Sequence, residues 1–298
     1  MEGRPRSRLP LLGLEHRDCI EAALEPLRRS LAERALSELT FANLYLFRAV
    51  HDYRFMAGDY PCVSGRGYDG AAYLIPLFDL AAVPAGALGE ILLPGECFHP
   101  VAAEVLTRLD RSVLQIETSR DDSDYLYAAA QFVDYRAASL RGQRGAALKL
   151  RSGHRISRGA ICEHGPQAAL GVLEQWCNEK NLPADGADAV ACREALVPPA
   201  GLPALPGEIY YLDGQPAGFL LTEPINPDVR VVRFAKGLRA FAGIYPLMFQ
   251  ELCRHHEPPA RWLNFECDLG KPNFRRAKLS YAPAQLLSKY RVSPRTAC

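Results

Sequence analysis

The stretch from Glu208 to Tyr290 changes its hydrophobic period in a definite order, and no other feature limits the fold as much. EIYYLDGQPAGFLLTEPI reads as two β-rich runs joined at Asp213-Gly214, a dipeptide suited to a type I′ turn. VRVVRF at 229–234 reads as a third strand. Phe241, Ile244, Tyr245, Met248 and Leu252 then fall at helical spacing and predict an amphipathic helix over 242–254. A strand at 262–266, a short helix at 273–278 and a last strand at 285–290 complete the order β-β-β-α-β-α-β. Such a chain builds an α+β fold, a mixed sheet flanked by helices.

The earlier residues give weaker signals. Asp18, with Glu21 three residues on, is a capping-box-like start for a helix that Pro26 is expected to end or kink after two turns. Runs at 72–77 and 113–117 read as strands. Asp121, Asp122 and Asp124 form an acidic loop ahead of DYLYAAAQFVDYRAASL, which has a helical pattern; Gly142, Gly145 and Gly153 are expected to break regular structure. A helix at 166–180 carries Trp176. Pro, Gly and Ala then concentrate at 183–206, around a short helical stretch at 188–196. The expected organisation is an N-terminal half (1–182), a connection (183–206) and a C-terminal half (207–298).

A chain of 298 residues has room for two such halves. No stretch approaches the roughly 20 apolar residues of a membrane span, and the N-terminal residues lack a full apolar core and cleavage site, so a cytoplasmic location is expected. Nine scattered cysteines form no CxxC pair, and neighbouring His255 and His256 diverge by about 100° on a helix, so no metal is expected. Charge is unevenly placed. Seven basic residues and no acidic one lie between Arg136 and Arg158, and from Arg230 onward thirteen basic residues face four acidic ones. Positive potential gathered in this way draws in anions such as nucleotide phosphates, a tRNA acceptor stem or an anionic lipid.

Several segments resemble the C-terminal domain family of phosphatidylglycerol lysyltransferase and its soluble relatives. SELTFANLYLFR, with Asn43, Tyr45 and Arg48, is similar to that family's opening motif. DYLYAAAQFVDYRAASLRGQR, YYLDGQPAGFLLTEPIN and the GIY of Gly243 to Tyr245 match later segments. NFECDLGKPNFRRAKLSYAP is similar to the signature N-x-E-x-D-L-G-x-x-x-x-R-x-x-K-x-S-Y-x-P. The motifs run in order over 34–291. The resemblance implies two tandem GNAT-like halves with the active site in the second. It also implies transfer of an aminoacyl group from aminoacyl-tRNA to a lipid or small molecule, with no tightly bound cofactor. Three departures stand out: Ala235 where a Glu precedes Lys236, Phe249 in place of an Asn, and Leu148-Lys149-Leu150 in place of Lys-Arg-Asn.

Acyl transfer needs a base for the nucleophile, donors for the developing oxyanion and a cradle for the activated donor. Glu266 and Asp268, two apart at a strand end, share a face and are the expected bases. Neutralising either is then expected to stop turnover at little cost in stability. Tyr281 is the expected general acid or stacking group. Lys236, Gly243, Tyr245, Arg275, Arg276, Lys278 and Ser280 are expected around the donor, and Arg141, Arg144, Lys149 and Arg151 on RNA or another anion. GLRAFAGIY lacks a clean pyrophosphate loop, which favours aminoacyl-tRNA over acyl-CoA as donor. The competing expectations are an acyl-CoA-dependent N-acyltransferase of a small amine and a catalytically silent GNAT-like binding protein, with Ala235 and Phe249 marking the lost function.

Overall fold

The computed structural model describes residues 6–183, 186–255 and 259–295. The strands in chain order are β1 (Arg54–Met56), β2 (Cys62–Arg66), β3 (Ala72–Pro76), β4 (Cys97–Ala102), β5 (Leu114–Thr118), β6 (Asp124–Ala128), β7 (Ile156–Ala160), β8 (Gly207–Leu212), β9 (Gln215–Pro224), β10 (Val229–Gly237), β11 (Trp262–Asn264), β12 (Gln285–Leu287) and β13 (Lys289–Pro294). They form two mixed sheets, ordered β1-β2-β3-β4-β13-β5 and β12-β6-β11-β10-β9-β8-β7, each flanked by helices. This is the expected pair of GNAT-like halves. Two compact units result: residues up to Asp124 with Leu287 onward, and Tyr125–Leu286.

The division differs from the expected one. The 183–206 stretch lies inside the second unit, where β6 and β7 from upstream of it join the same sheet as β8 to β11. Its Pro and Gly residues flank the helix Ala187–Leu196 rather than separating domains. Strand DYLYA, expected as helix, pairs with β11, and its Tyr125, Leu126 and Tyr127 are fully buried. An unbroken run of bulky side chains, Tyr125-Leu126-Tyr127, suits a strand covered on both faces. The expected last strand divides into β12 and β13, which sit in different sheets.

Two expected breaks are absent. Helix Arg17–Leu31 passes through Pro26, with Asp18 in its first turn and His16 at its N-cap. A mid-helix proline costs about 3 kcal/mol, and burying Ile20, Leu24 and Leu31 at about 1.5–3 kcal/mol each outweighs that. Gly142, Gly145 and Gly153 all belong to one helix, Arg141–Gly153, anchored by buried Ala147 and Leu150. The hairpin turn is as expected: Asp213 and Gly214 have φ of 52° and 82°, as a type I′ turn requires.

In the first unit Lys289, 1% exposed, lies 2.6 Å from Asp124 Oδ1 and 2.5 Å from Glu38 Oε1. Asp124 also accepts the Ser37 N–H (2.8 Å) and hydroxyl (3.0 Å). Two carboxylates thus share the Lys289 ammonium. Burial pushes the Glu38 carboxyl up, Lys289 pulls it down and Asp124 raises it again; the balance is upward. A folded-state pKa above the unfolded one means the folded chain binds the proton more tightly, so this group's stabilisation is lost as pH rises through it. Glu38→Gln keeps an acceptor for Lys289 and removes the titration. Urea unfolding from pH 4.5 upward is expected to show a flatter stability profile for Glu38→Gln than for the wild type; parallel profiles would contradict the assignment.

Candidate functional site

Strands β10 and β11 run parallel, but they pair only through Val229↔Trp262, Arg230↔Leu263 and Val231↔Asn264. Past Val231, β10 stays with β9 to Gly237, while the chain after β11 stays with Tyr125: Phe265 N–H donates to Tyr125 O at 2.9 Å, and Tyr125 N–H to Glu266 O at 3.2 Å. The strands therefore part. Arg233 reaches across the opening, donating from Nε to Glu223 Oε2 and from Nη1 to Glu266 Oε1, both at 2.6 Å. Its side chain is 1% exposed. Burial works against this charge, but Glu223 and Glu266 outweigh it and hold its pKa above the ordinary value.

The segment after β11 is a tied turn. Buried Asn264 accepts the Glu266 N–H on its Oδ1 at 2.7 Å, which stabilises the left-handed φ of 57° at Glu266. Asp268 is fully buried. Its Oδ2 accepts the Tyr125 hydroxyl (2.5 Å) and Arg275 Nε (2.8 Å); its Oδ1 accepts the Gly270 N–H (2.9 Å) and Arg275 Nη2 (3.0 Å). A carboxylate offers about four lone-pair sites, and all are filled. Lys278 Nζ donates to three consecutive carbonyls, Phe265 (2.5 Å), Glu266 (3.1 Å) and Cys267, which uses its three N–H bonds.

These contacts correct several expectations. Asp268 has no lone pair left for a substrate proton. Arg275 and Lys278 are committed to the turn rather than to donor phosphates. Tyr281 is 9% exposed, with ring centroids 5.4 Å from Phe249 and 5.8 Å from Phe132. Enclosed by these rings, it is a packing residue, and burial drives its pKa up. Arg151 pairs with Glu251 and Gln250, which removes it from an anion surface. Glu266 keeps an exposed edge, its side chain 27% accessible beside Arg233.

The far end of β10 holds a second group. Lys236 Nζ lies against Asp188 Oδ2 and 4.1 Å from the Trp176 ring centroid. Burial lowers its pKa, but Asp188 and its other neighbours outweigh that and leave it raised. Tyr245, half-buried in the first turn of the helix Ile244–His255, accepts hydrogen bonds on its hydroxyl from Trp176 Nε1 (3.1 Å) and from Gly237 N (3.2 Å). Gly243 has φ of 101°, and a Cβ there would sit 2.7 Å from the carbonyl oxygen of Ala146. The backbone of helix Arg141–Gly153 thus closes over the start of Ile244–His255, and Pro246 supplies no N–H there.

Of the cations expected at the site, Arg141, Arg144, Lys149 and Arg276 have no side-chain partner among the described residues. Gln143 Nε2 donates to Ser280 O at 2.6 Å, joining the first turn of Arg141–Gly153 to the end of Pro272–Leu279. The Ser280 hydroxyl turns to Ala277 O at 2.7 Å. Residues not anticipated as partners here are Tyr125, Arg233, Glu223, Asn264, Trp176 and Asp188. The one available signal was charge inside an apolar strand, Arg233 within VRVVRF. An open cleft of about 350 Å³ lies in the first unit, lined by Leu106, Arg111, Leu114, Ile116, Tyr290 and Arg295, none of them an expected site residue. Among the described residues no group of three or more His, Cys, Asp or Glu is placed to hold a metal ion, and no helix is long and apolar enough to cross a membrane. His256 and Cys298 lie outside the described residues.

Two mixed sheets, one with parting parallel strands, define a tandem GNAT-like acyltransferase fold. The family model for phosphatidylglycerol lysyltransferase, C-terminal, matches residues 29–293, and the chain belongs to that family of aminoacyl and acyl transferases. A conserved protein of unknown function from Bacteroides thetaiotaomicron superposes with a TM-score of 0.81 at 23% identity, over 97% of this chain and 99% of that one. L-PGS from Bacillus licheniformis gives 0.60 at 13% identity, over 93% and 92%. FemX gives 0.57 at 7% identity, over 94% and 96%. At these identities the likeness is one of fold. No curated protein matches the sequence.

Removing Arg275 leaves the Asp268 charge buried without its ion-pair partner. Arg275→Met is expected to cost about 3 kcal/mol, whereas Arg276→Met on the same helix stays within about 0.5 kcal/mol. Asp268→Asn is likewise expected to lower stability, contrary to the sequence-based expectation. Equal midpoints in urea for the two arginine variants would refute the distinction.

Proposed function

We propose that this chain transfers an aminoacyl group from aminoacyl-tRNA to a small-molecule or lipid acceptor. Membership of a family named for lysyl transfer to phosphatidylglycerol supports the reaction class. The observation that carries the choice of donor is the closure at Gly243. In an acyl-CoA enzyme the helix after the parting strand presents free N–H groups to a pyrophosphate. Here the Ala146 carbonyl occupies that approach and Pro246 removes a donor. A tRNA needs no such cradle, because its backbone phosphates are met by spread cations. Arg141, Arg144, Lys149 and Arg276 suit that contact. Lys236, Gly243 and Tyr245 lie at the donor end of the opening, and Glu266 offers its exposed carboxylate edge to the acceptor's ammonium or hydroxyl. The reaction would run in the cytoplasm, where charged tRNA is found, with no tightly bound cofactor.

Radiolabel is expected to move from charged tRNA, and not from acyl-CoA, onto a component of a cell extract. Transfer from acyl-CoA alone would establish the N-acyltransferase reading on a small amine instead. Failure with both donors would favour a silent binding protein, a reading that the Phe249 ring, 4.6 Å from Phe265 inside the aromatic cluster, would suit. With about four phosphate contacts, affinity for charged tRNA is expected to fall roughly a hundredfold between 50 and 200 mM salt. Filter binding across that range checks the slope.

A further inference from the structure

We infer that Tyr245 is the general acid of the transfer, giving its phenolic proton to the oxygen that leaves the donor. The inference rests on the transfer reading and adds to it a residue that delivers a proton. Tyr281, the tyrosine of the sequence signature, is enclosed by Phe132, Phe249 and Phe265 and cannot play this part. Tyr245 is only half-buried, and its hydroxyl sits in a defined polar setting. Both lone pairs of its hydroxyl are engaged, one by Trp176 Nε1–H at 3.1 Å and one by Gly237 N–H at 3.2 Å. Among the described residues its own O–H has no acceptor, so the proton is free to be given away.

The surroundings are built for the anion that remains. Two N–H groups already point at the oxygen, and the Lys236 ammonium, fixed between Asp188 and the Trp176 ring, adds its positive field. Burial is the largest influence and leaves the phenol's pKa above its ordinary value, although Trp176, Gly237 and Lys236 each pull it down. The group therefore stays protonated at neutral pH yet has its charged form solvated in advance. That is the arrangement a general acid needs when the leaving group is an alkoxide. Its position in the first turn of Ile244–His255, next to the end of β10, places it at the donor side of the parted strands.

The step balances without a redox partner. The acceptor's oxygen or nitrogen bonds to the ester carbonyl carbon and loses its proton to Glu266 or to water. The bond from that carbon to the ribose oxygen breaks, and its electron pair stays on the ribose oxygen. That oxygen takes the Tyr245 proton, and the proton lost by the acceptor returns through water to the phenolate, leaving both Glu266 and Tyr245 as they began.

Tyr245→Phe retains the ring that packs near Phe249 and loses only the hydroxyl. With charged tRNA as donor, kcat is expected to fall at least about a hundredfold, with KM within about twofold and the urea midpoint lowered only as far as the loss of an acceptor for Trp176 Nε1 and Gly237 N requires. Trp176→Phe, which removes one donor to the phenolate, is expected to lower kcat about tenfold with KM unchanged. A Tyr245→Phe enzyme within threefold of wild type overturns the assignment, as does a loss of kcat matched by an equal rise in KM, the mark of a purely structural role. A wild type that moves no label from charged tRNA removes the transfer reading and this inference with it. An active wild type with an unaffected Tyr245→Phe removes the inference alone.

Discussion

A single buried carboxylate organises the second unit. Asp268 has no exposed surface and no vacant lone pair, and its four donors come from three separate parts of the chain: Tyr125 on β6, Gly270 in the turn and Arg275 on the following helix. A carboxylate so placed is tolerated only because a guanidinium meets it on both oxygens. With the turn fixed, Lys278 gathers the carbonyls of residues 265–267, and Glu266 is held in a left-handed conformation facing Arg233. The opening between β10 and β11 follows from this arrangement, since residues 265 and 266 stay bonded to Tyr125 instead of following β10.

The signature N-x-E-x-D-L-G-x-x-x-x-R-x-x-K thus acquires a physical reading. Asn264, Asp268, Gly270, Arg275 and Lys278 each make a contact that shapes the turn, and the spacing between Asp268 and Arg275 spans the first turn of a short helix. A motif rich in charge invites a catalytic interpretation, yet most of its charge here is spent on backbone geometry. The chemistry proposed above falls instead to groups with an unused valence: the exposed edge of Glu266 and the hydroxyl proton of Tyr245.

Much of the fold was legible from period and turn chemistry. The hairpin at Asp213-Gly214, the strand at 229–234 and the helix carrying Ile244, Met248 and Leu252 all follow from local pattern, which tertiary packing there reinforces. What failed had a common cause. The strand at Asp124–Ala128, the uninterrupted helix through Pro26 and the glycine-containing helix Arg141–Gly153 are all decided by burial against distant residues, which local propensity does not register. Site residues fared less well for the same reason. Residue type and spacing placed Glu266, Asp268, Lys278 and Tyr281 near one another, but only the partners reveal which of them is saturated. Trp176 and Asp188 come from helices far upstream of Lys236, and nothing in their own neighbourhoods announces the encounter.

The place of β13 carries a consequence for biosynthesis. It lies between β4 and β5, bonded to both, so β5 has no strand joining it to the rest of the first unit's sheet until residues 289–294 are available. During translation β1 to β4 and β5 emerge early but must wait, with β4 and β5 presenting open edges, while the whole of Tyr125–Leu286 is made. Unpaired edges in a nascent chain invite mispairing and aggregation. The unit that is translated earlier is therefore completed only after the later one has been made.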